Sequence, residues 1–246
     1  MPAHHAPAAF VTFATPTDHS GDADSGARQM SHDPGSLEPR GGRRSTVPCV
    51  SLTAIVPLKA LDRAKQRLSG RLTAGERRAL MRTVFLHVLD ACLATPGIDR
   101  IIAVVGDDDG AALAARRAVT VVREPGGGLN LALRHASGGL PADSASLVVV
   151  ADLPELAAAD LSAVITAGGE TPGVLVAPTH DGGTGALLRR PATVIAPAFG
   201  GASAAAHLRA AQDAGVRAGL ICRRGLARDI DRPADLDRYA GPATGD

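Results

Sequence analysis

Tryptophan is absent from the sequence, and tyrosine occurs once and phenylalanine four times in 246 residues. The core must therefore be aliphatic. Apolar types make up 45% of the chain, enough for one sizeable core. Cysteine is scarce too: Cys49, Cys92 and Cys222 are odd in number and far apart. They fit neither a disulfide framework nor a zinc-ligand spacing, and a reducing, cytoplasmic interior is the simplest compartment. No apolar run reaches the ~18 residues of a membrane-spanning helix. The N-terminus lacks the apolar stretch and cleavage pattern of a secretory leader. An excess of one charge sign is also missing. The formal net charge is +1, without the basic surplus of a nucleic-acid or anionic-membrane surface.

What is present divides unevenly. Residues 1–46 are rich in Pro, Gly, Ser, His and Asp and end in a basic stretch at 40–44. Such a segment buries too little apolar surface to offset its ordering entropy and reads as a disordered extension. Residues 47–246 read as one folded domain. Short β-branched runs recur at 51–56, 100–105, 119–123, 147–150, 174–177 and 216–222. Between most of them lie helical patterns, the clearest over 74–94. There Thr73 and Glu76 make a capping box, and Leu80, Val84, Phe85, Val88, Leu89 and Cys92 follow at helical spacing. Weaker helices are expected near 110–117, 129–136, 160–167 and 203–214, the last with Gly215 as its cap. Alternating strands and helices predict an α/β fold, a mostly parallel twisted sheet with helices on both faces. Ligands of such sheets bind beyond the carboxyl ends of the strands, so the residues after each apolar run carry the interest.

The first run ends in Pro57-Leu58-Lys59, followed by Lys65, Arg67 and Arg71. Cations there can neutralise a triphosphate; a solvated loop is the plainer account. Gly126-Gly127-Gly128-Leu129-Asn130 has no Lys-Ser/Thr after it, so it is no P-loop. Its glycines let a base or sugar approach the backbone, and Asn130 can both donate to and accept from a base edge. The run 147–150 stops abruptly at Ala151-Asp152-Leu153-Pro154. A carboxylate at a strand end suits a hard cation such as magnesium. A second acidic cluster, Asp229-Ile230-Asp231, would point both carboxylates the same way if extended. Pro233 then opens a terminal helix. Ser203, behind Gly200 and Gly201, marks a helix start able to hold an anion, or acts as a simple N-cap. His207, one turn later, reads as a packing residue, or one that supports a ligand-holding neighbour, rather than a catalyst.

Taken in order, Pro57-x-Lys59, Lys65-x-Arg67-Leu68, Gly128-Leu129-Asn130, Ala151-Asp152-Leu153-Pro154, Gly183-Thr184, Phe199-Gly200-x-x-Ser203-x-x-x-His207 and Asp229-Ile230-Asp231 resemble the CofC/FbiD guanylyltransferases of coenzyme F-420 biosynthesis. The resemblance implies a single nucleotidyltransferase domain, similar to the nucleotide-diphospho-sugar transferases and Rossmann-like. It implies transfer of GMP from GTP to phosphoenolpyruvate, or in the archaeal branch to 2-phospho-L-lactate, with release of pyrophosphate. It would place Lys59, Lys65 and Arg67 on the triphosphate and Gly128 and Asn130 on the guanosine. Thr184, Gly200 and Ser203 would hold the phosphorylated three-carbon acid, and Asp152, Asp229 and Asp231 would hold magnesium. Other nucleotidyltransferases of this fold usually open with a Gly-rich first loop, which Pro57-Leu58-Lys59 replaces here. A nucleotide-binding protein without catalysis is the alternative of another class, and the carboxylates count against it. The family often carries Asn where Gly185 stands, Thr where Arg232 stands and Ser where Gln66 stands. No membrane or nucleic-acid partner is expected. Handover of a labile product to a downstream transferase, and a homodimer, are compatible with the sequence.

Overall fold

The computed structural model describes Val11–Ala14 and residues 50–239. The rest of the extension at 1–46, and Cys49, lie outside the described residues, so the expectation of disorder there stands as an expectation. The backbone of Val11–Ala14 is strand β1, inside that extension.

The apolar runs become β2 (Leu52–Leu58), β3 (Arg100–Val105), β4 (Thr120–Arg123), β5 (Ala145–Val149), β6 (Gly173–Pro178) and β8 (Arg217–Ile221). A further strand, β7 (Thr184–Arg190), was not among the sequence-predicted ones. All seven of its residues are buried, yet it starts among glycines and ends in two arginines, which hides the apolar run. The sheet order is β1-β8-β6-β7-β5-β2-β3-β4. The pairs β2–β3, β2–β5, β3–β4 and β6–β8 are parallel, whereas β7 runs antiparallel between β5 and β6. β1 closes one edge antiparallel to β8.

Alternation along each strand sends side chains to two covered faces. On one, Ala54, Val56, Ala103 and Leu147 pack under Phe85, Val88 and Leu89 of α1 (Ala74–Leu93), with Leu113 of α2 (Asp108–Ala115) and Leu161 of α4 (Ala158–Gly168). On the other, Ile55, Val104, Val148, Val176 and Leu187 meet Leu133 of α3 (Leu129–Gly138) and Ala211 of α5 (Ser203–Asp213). α1 begins at the expected capping box: Glu76 N–H donates to Thr73 Oγ1 at 3.3 Å, and the Glu76 carboxylate accepts from Thr73 N–H at 2.8 Å. α5 ends at Gly215, whose φ of 64° is the left-handed conformation a C-terminal cap requires. No described helix is long and apolar enough to cross a membrane.

This topology gathers several loops along one edge. The carboxyl ends of β2, β4, β5 and β8 and the start of the reversed β7 lie together. Val150 N–H donates to Gly185 O at 3.1 Å, so Asp152, just past β5, lies near Thr184, the first residue of the adjoining β7.

Candidate functional site

β2 runs into Lys59, which is exposed and has no hydrogen-bond or ion-pair partner among the described residues. Two single turns of 3-10 helix follow, Leu61–Arg63 and Gln66–Leu68. Lys65 joins them with φ 53° and ψ 42°. A non-glycine residue in that left-handed region costs about 1–2 kcal/mol. Its carbonyl accepts from Leu68 N–H at 2.9 Å, and its ammonium pairs with Asp152 Oδ2. The strained backbone thus delivers the only lysine near the carboxylates, with its side chain just 8% exposed.

The second acidic cluster reaches the same point. Ile230 N–H donates to Asp152 O at 3.1 Å, clamping the two segments. Ile230 itself packs with Leu68 and Val84. That anchor turns the flanking carboxylates toward Lys65, as the period of two requires. Asp231 Oδ1 lies 3.8 Å from Lys65 Nζ, and Asp231 Oδ2 accepts from the exposed Arg67. Asp235 Oδ2 accepts from the Asp231 backbone N–H at 3.0 Å, at the start of a short helix, Pro233–Leu236. Burial tends to lower the Lys65 pKa, but Asp152, Asp231 and Asp229 outweigh it and hold it above the usual lysine value. Burial, then the charge of Asp152, push Asp229 above the usual carboxylate range.

Among the described residues no group of three or more His, Cys, Asp or Glu side chains is arranged to hold a metal ion. The carboxylates of Asp152 and Asp231 are instead turned onto the lysine. Still, the donor set is all oxygen, and burial together with the charge of Asp152 disfavours the Asp229 carboxylate. Three carboxylates against Lys65 and Arg67 leave one negative charge uncompensated. Those are the properties that a hard dication would relieve.

Across β7 lies the other half. Thr184 Oγ1 is 2.9 Å from Ser203 Oγ and 3.2 Å from His207 Nδ1, all three residues being buried. Ser203 is not the N-cap that its position invites. Ala202 takes that place at φ 53° and supplies no side-chain cap, and the Ser203 hydroxyl turns to Thr184. Gly200, at φ 146°, lets the chain approach this helix start. His207 is fully buried and packs edge-on to Phe199, with ring centroids 5.0 Å apart.

On the third side, Gly126, Gly127 and Gly128 have φ values of 86°, 77° and 88°, and α3 starts at Gly128 without a side-chain cap. Asn130 carries a bond that the sequence did not signal. Its Nδ2 donates to Phe199 O at 2.9 Å and its Oδ1 accepts from Phe199 N–H at 2.7 Å. One N–H and one lone pair remain for a base edge, and the residue ties the glycine loop to the loop that carries Gly200 and Ser203.

The structure therefore brings Lys65, Arg67, Asp152, Asp229 and Asp231 into one cluster and Thr184, Gly200 and Ser203 into another. Lys59 is exposed at the carboxyl end of β2, with no hydrogen bond or ion pair to either among the described residues. Gly185, next to Thr184, is tightly enclosed: a Cβ there would run into the carbonyl oxygen of Leu226. No side chain has room at this position. Gly185→Ala is expected to lower Tm by about 2–10 °C through overpacking; a thermal melt unchanged within a degree would refute that fit.

Known proteins resemble this chain in sequence and in fold. The family model described as "Guanylyl transferase CofC like" matches residues 52–239. A phosphoenolpyruvate guanylyltransferase of Sphaerobacter thermophilus is 40% identical over 193 residues, covering 77% of this chain and 93% of that protein. One from Roseiflexus is 40% identical over 183 residues, covering 74% and 82%. A 3-phospho-D-glycerate guanylyltransferase of Phenylobacterium zucineum is 36% identical over 197 residues, covering 77% and 90%. Among solved structures, a Desulfovibrio desulfuricans protein classed with the nucleotide-diphospho-sugar transferases superposes with TM-score 0.64 at 13% identity, over 76% of this chain and 85% of that one. A 4-diphosphocytidyl-2C-methyl-D-erythritol synthase does so with TM-score 0.56 at 18% identity, over 77% and 96%. Those two likenesses bear on the fold.

Proposed function

The chain belongs to the CofC-like guanylyl transferase family, and from that premise we propose that it moves GMP from GTP onto phosphoenolpyruvate, releasing pyrophosphate. The observation that carries the reading is the juxtaposition on adjoining strand ends β5 and β7. A lysine held among carboxylates stands beside a helix start that offers a hydroxyl pair. One half suits a triphosphate, the other a small anion.

The reaction joins an oxygen of the acceptor phosphate to the α-phosphorus of GTP and breaks the bond to the β-phosphate. The acceptor oxygen is already anionic, so no general base is required. The obstacle is the approach of two polyanions in line. Lys59, Lys65 and Arg67 hold the triphosphate and steady the departing pyrophosphate. Gly128 and the remaining valences of Asn130 meet the guanosine. Thr184, Gly200 and Ser203 orient the acceptor. Magnesium, held by Asp152 with Asp229 and Asp231, would supply charge neutralisation for the phosphates. Lys65, paired with Asp152 and 3.8 Å from Asp231, is the cation that this chain sets beside those carboxylates to meet phosphate.

A diphosphate-linked enolpyruvyl product is a labile activated acid. It suits the building of coenzyme F-420, with handover to a transferase that consumes it. The decisive experiment incubates GTP and magnesium with phosphoenolpyruvate, 2-phospho-L-lactate or 3-phospho-D-glycerate and reads the product by mass spectrometry. The expected dominant adduct is enolpyruvyl-diphospho-guanosine. A preference for either other acid would move the acceptor assignment, and no adduct from any would remove the reading.

A further inference from the structure

The hydroxyl pair Thr184–Ser203 is polarised by a buried hydrogen-bond chain. Ala198 N–H donates to His207 Nε2 at 2.9 Å, so that nitrogen carries a lone pair. Burial, then the charge of Arg189, push the His207 pKa down to about 4, so the ring is neutral near pH 7. A neutral ring that accepts at Nε2 carries its proton on Nδ1. Nδ1 lies 3.2 Å from Thr184 Oγ1, which must therefore accept. Thr184 and Ser203 then hold two hydroxyl protons and share one mutual contact, at 2.9 Å. Whichever donates to the other, one O–H is left without an acceptor among the described residues. With the opposite tautomer Thr184 would donate to the ring and Ser203 to Thr184. Both protons would be consumed, and only lone pairs would face the site.

We propose that His207 is a positioning residue that, pinned by the Ala198 amide, fixes the Thr184–Ser203 pair as a net hydrogen-bond donor for an anionic oxygen of the three-carbon acid. This rests on the reading of Thr184 and Ser203 as the acceptor site. His207 touches no substrate. Its polar effect passes through the two hydroxyls to the acceptor; toward the guanosine loop it reaches only by packing on Phe199, which Asn130 holds through the backbone and an apolar replacement can keep packed.

The test is a set of four variants assayed for pyrophosphate release, with the KM of phosphoenolpyruvate and of GTP measured separately. His207→Leu is expected to raise the acceptor KM by about 10-fold or more, the weight of a hydrogen bond to a charged group, with the GTP KM unchanged. His207→Gln, whose carbonyl can accept from Ala198 while its amide donates to Thr184, is expected to stay within about 3-fold of the parent. Ser203→Ala is expected to raise the acceptor KM, and adding His207→Leu to it is expected to raise it little further, because residues acting through one chain are non-additive. Additive effects, a matching rise in the GTP KM, or no rescue by glutamine would overturn the proposal. If His207→Leu does not fold, the glutamine variant decides by itself. Failure of the unmodified protein to turn over GTP with any of the three acids would instead overturn the acceptor-site reading, and this inference with it.

Discussion

Asp152→Asn should slow pyrophosphate release by about 10²- to 10³-fold, the loss typical of one preorganised electrostatic group, while the protein folds as before. The substitution is nearly isosteric. The backbone bond from Ile230 N–H to Asp152 O does not involve the side chain and remains. β5, buried along its whole length, is untouched. What disappears is the charge that raises the Lys65 pKa most. Lys65 keeps Asp231 at 3.8 Å, so it stays protonated, but its main tether is gone. The left-handed turn at Lys65 then relies on the Leu68 amide for its hold. In the proposed reaction Asp152 would also help to hold magnesium, so the magnesium concentration for half-maximal rate should rise along with the fall in rate. A coupled pyrophosphate assay under magnesium titration, with circular dichroism to confirm the fold, measures both. A rate within tenfold of the parent would sink the assignment of Asp152.

Much of this cluster was legible before any coordinates. The apolar run ending at Asp152 and the period of two in Asp229-Ile230-Asp231 are local patterns, and the backbone obeys them. α1 was legible for the same reason, since its capping box and apolar spacing lie within a few residues of one another. β7 was not. Its buried surface includes Arg189 and Arg190, and a strand covered on both faces that ends in arginines breaks the apolar signal. The bonds of Asn130 to Phe199 were not legible either, because the two residues lie 69 apart in the chain. Only the fold makes that pair. Nor could the sequence decide what Ser203 does. Its neighbours suggest an N-cap, but Ala202 in the left-handed region turns the hydroxyl toward Thr184 on another element. Residues whose role is set by their own segment could be read; those set by a partner across the sheet could not. Gly185 belongs to the second kind, since the obstacle to a side chain there is the carbonyl of Leu226.

Arg189 is the second residue of large expected effect, and its effect is on stability. It is 1% exposed, and no carboxylate pairs with it among the described residues. Its guanidinium donates to Ser137 Oγ at 2.7 Å, Ser146 Oγ at 3.2 Å and Ile195 O at 3.0 Å. Burial pulls its pKa down to about 10, which still leaves it charged at neutral pH. The two serines give their own protons to Leu133 O and Ala192 O, so their oxygens are ready acceptors. The arginine thereby clips α3, β5 and the segment that leads to Phe199 into one unit. Arg189→Ala removes a large buried side chain and orphans three acceptors, and is expected to cost about 3–5 kcal/mol, or about 6–20 °C in Tm for a domain of this size. Arg189→Met fills the space without the charge and should cost less, because the desolvation penalty of the guanidinium goes with it. A Tm drop below about 3 °C for the alanine variant would refute the clip. The methionine variant carries a second readout. Arg189 is one cause of the low His207 pKa, after burial, so in Arg189→Met that pKa should move up toward the ordinary histidine value. A group with a depressed folded pKa contributes stability that is full above its unfolded pKa and lost as pH falls through the folded one. For His207 that loss runs from about 6.5 down to about 4, and it should shrink when Arg189 is gone. Histidine resonances followed by NMR across that range would show the shift, and an unmoved His207 would mean that burial sets its pKa without help from the arginine.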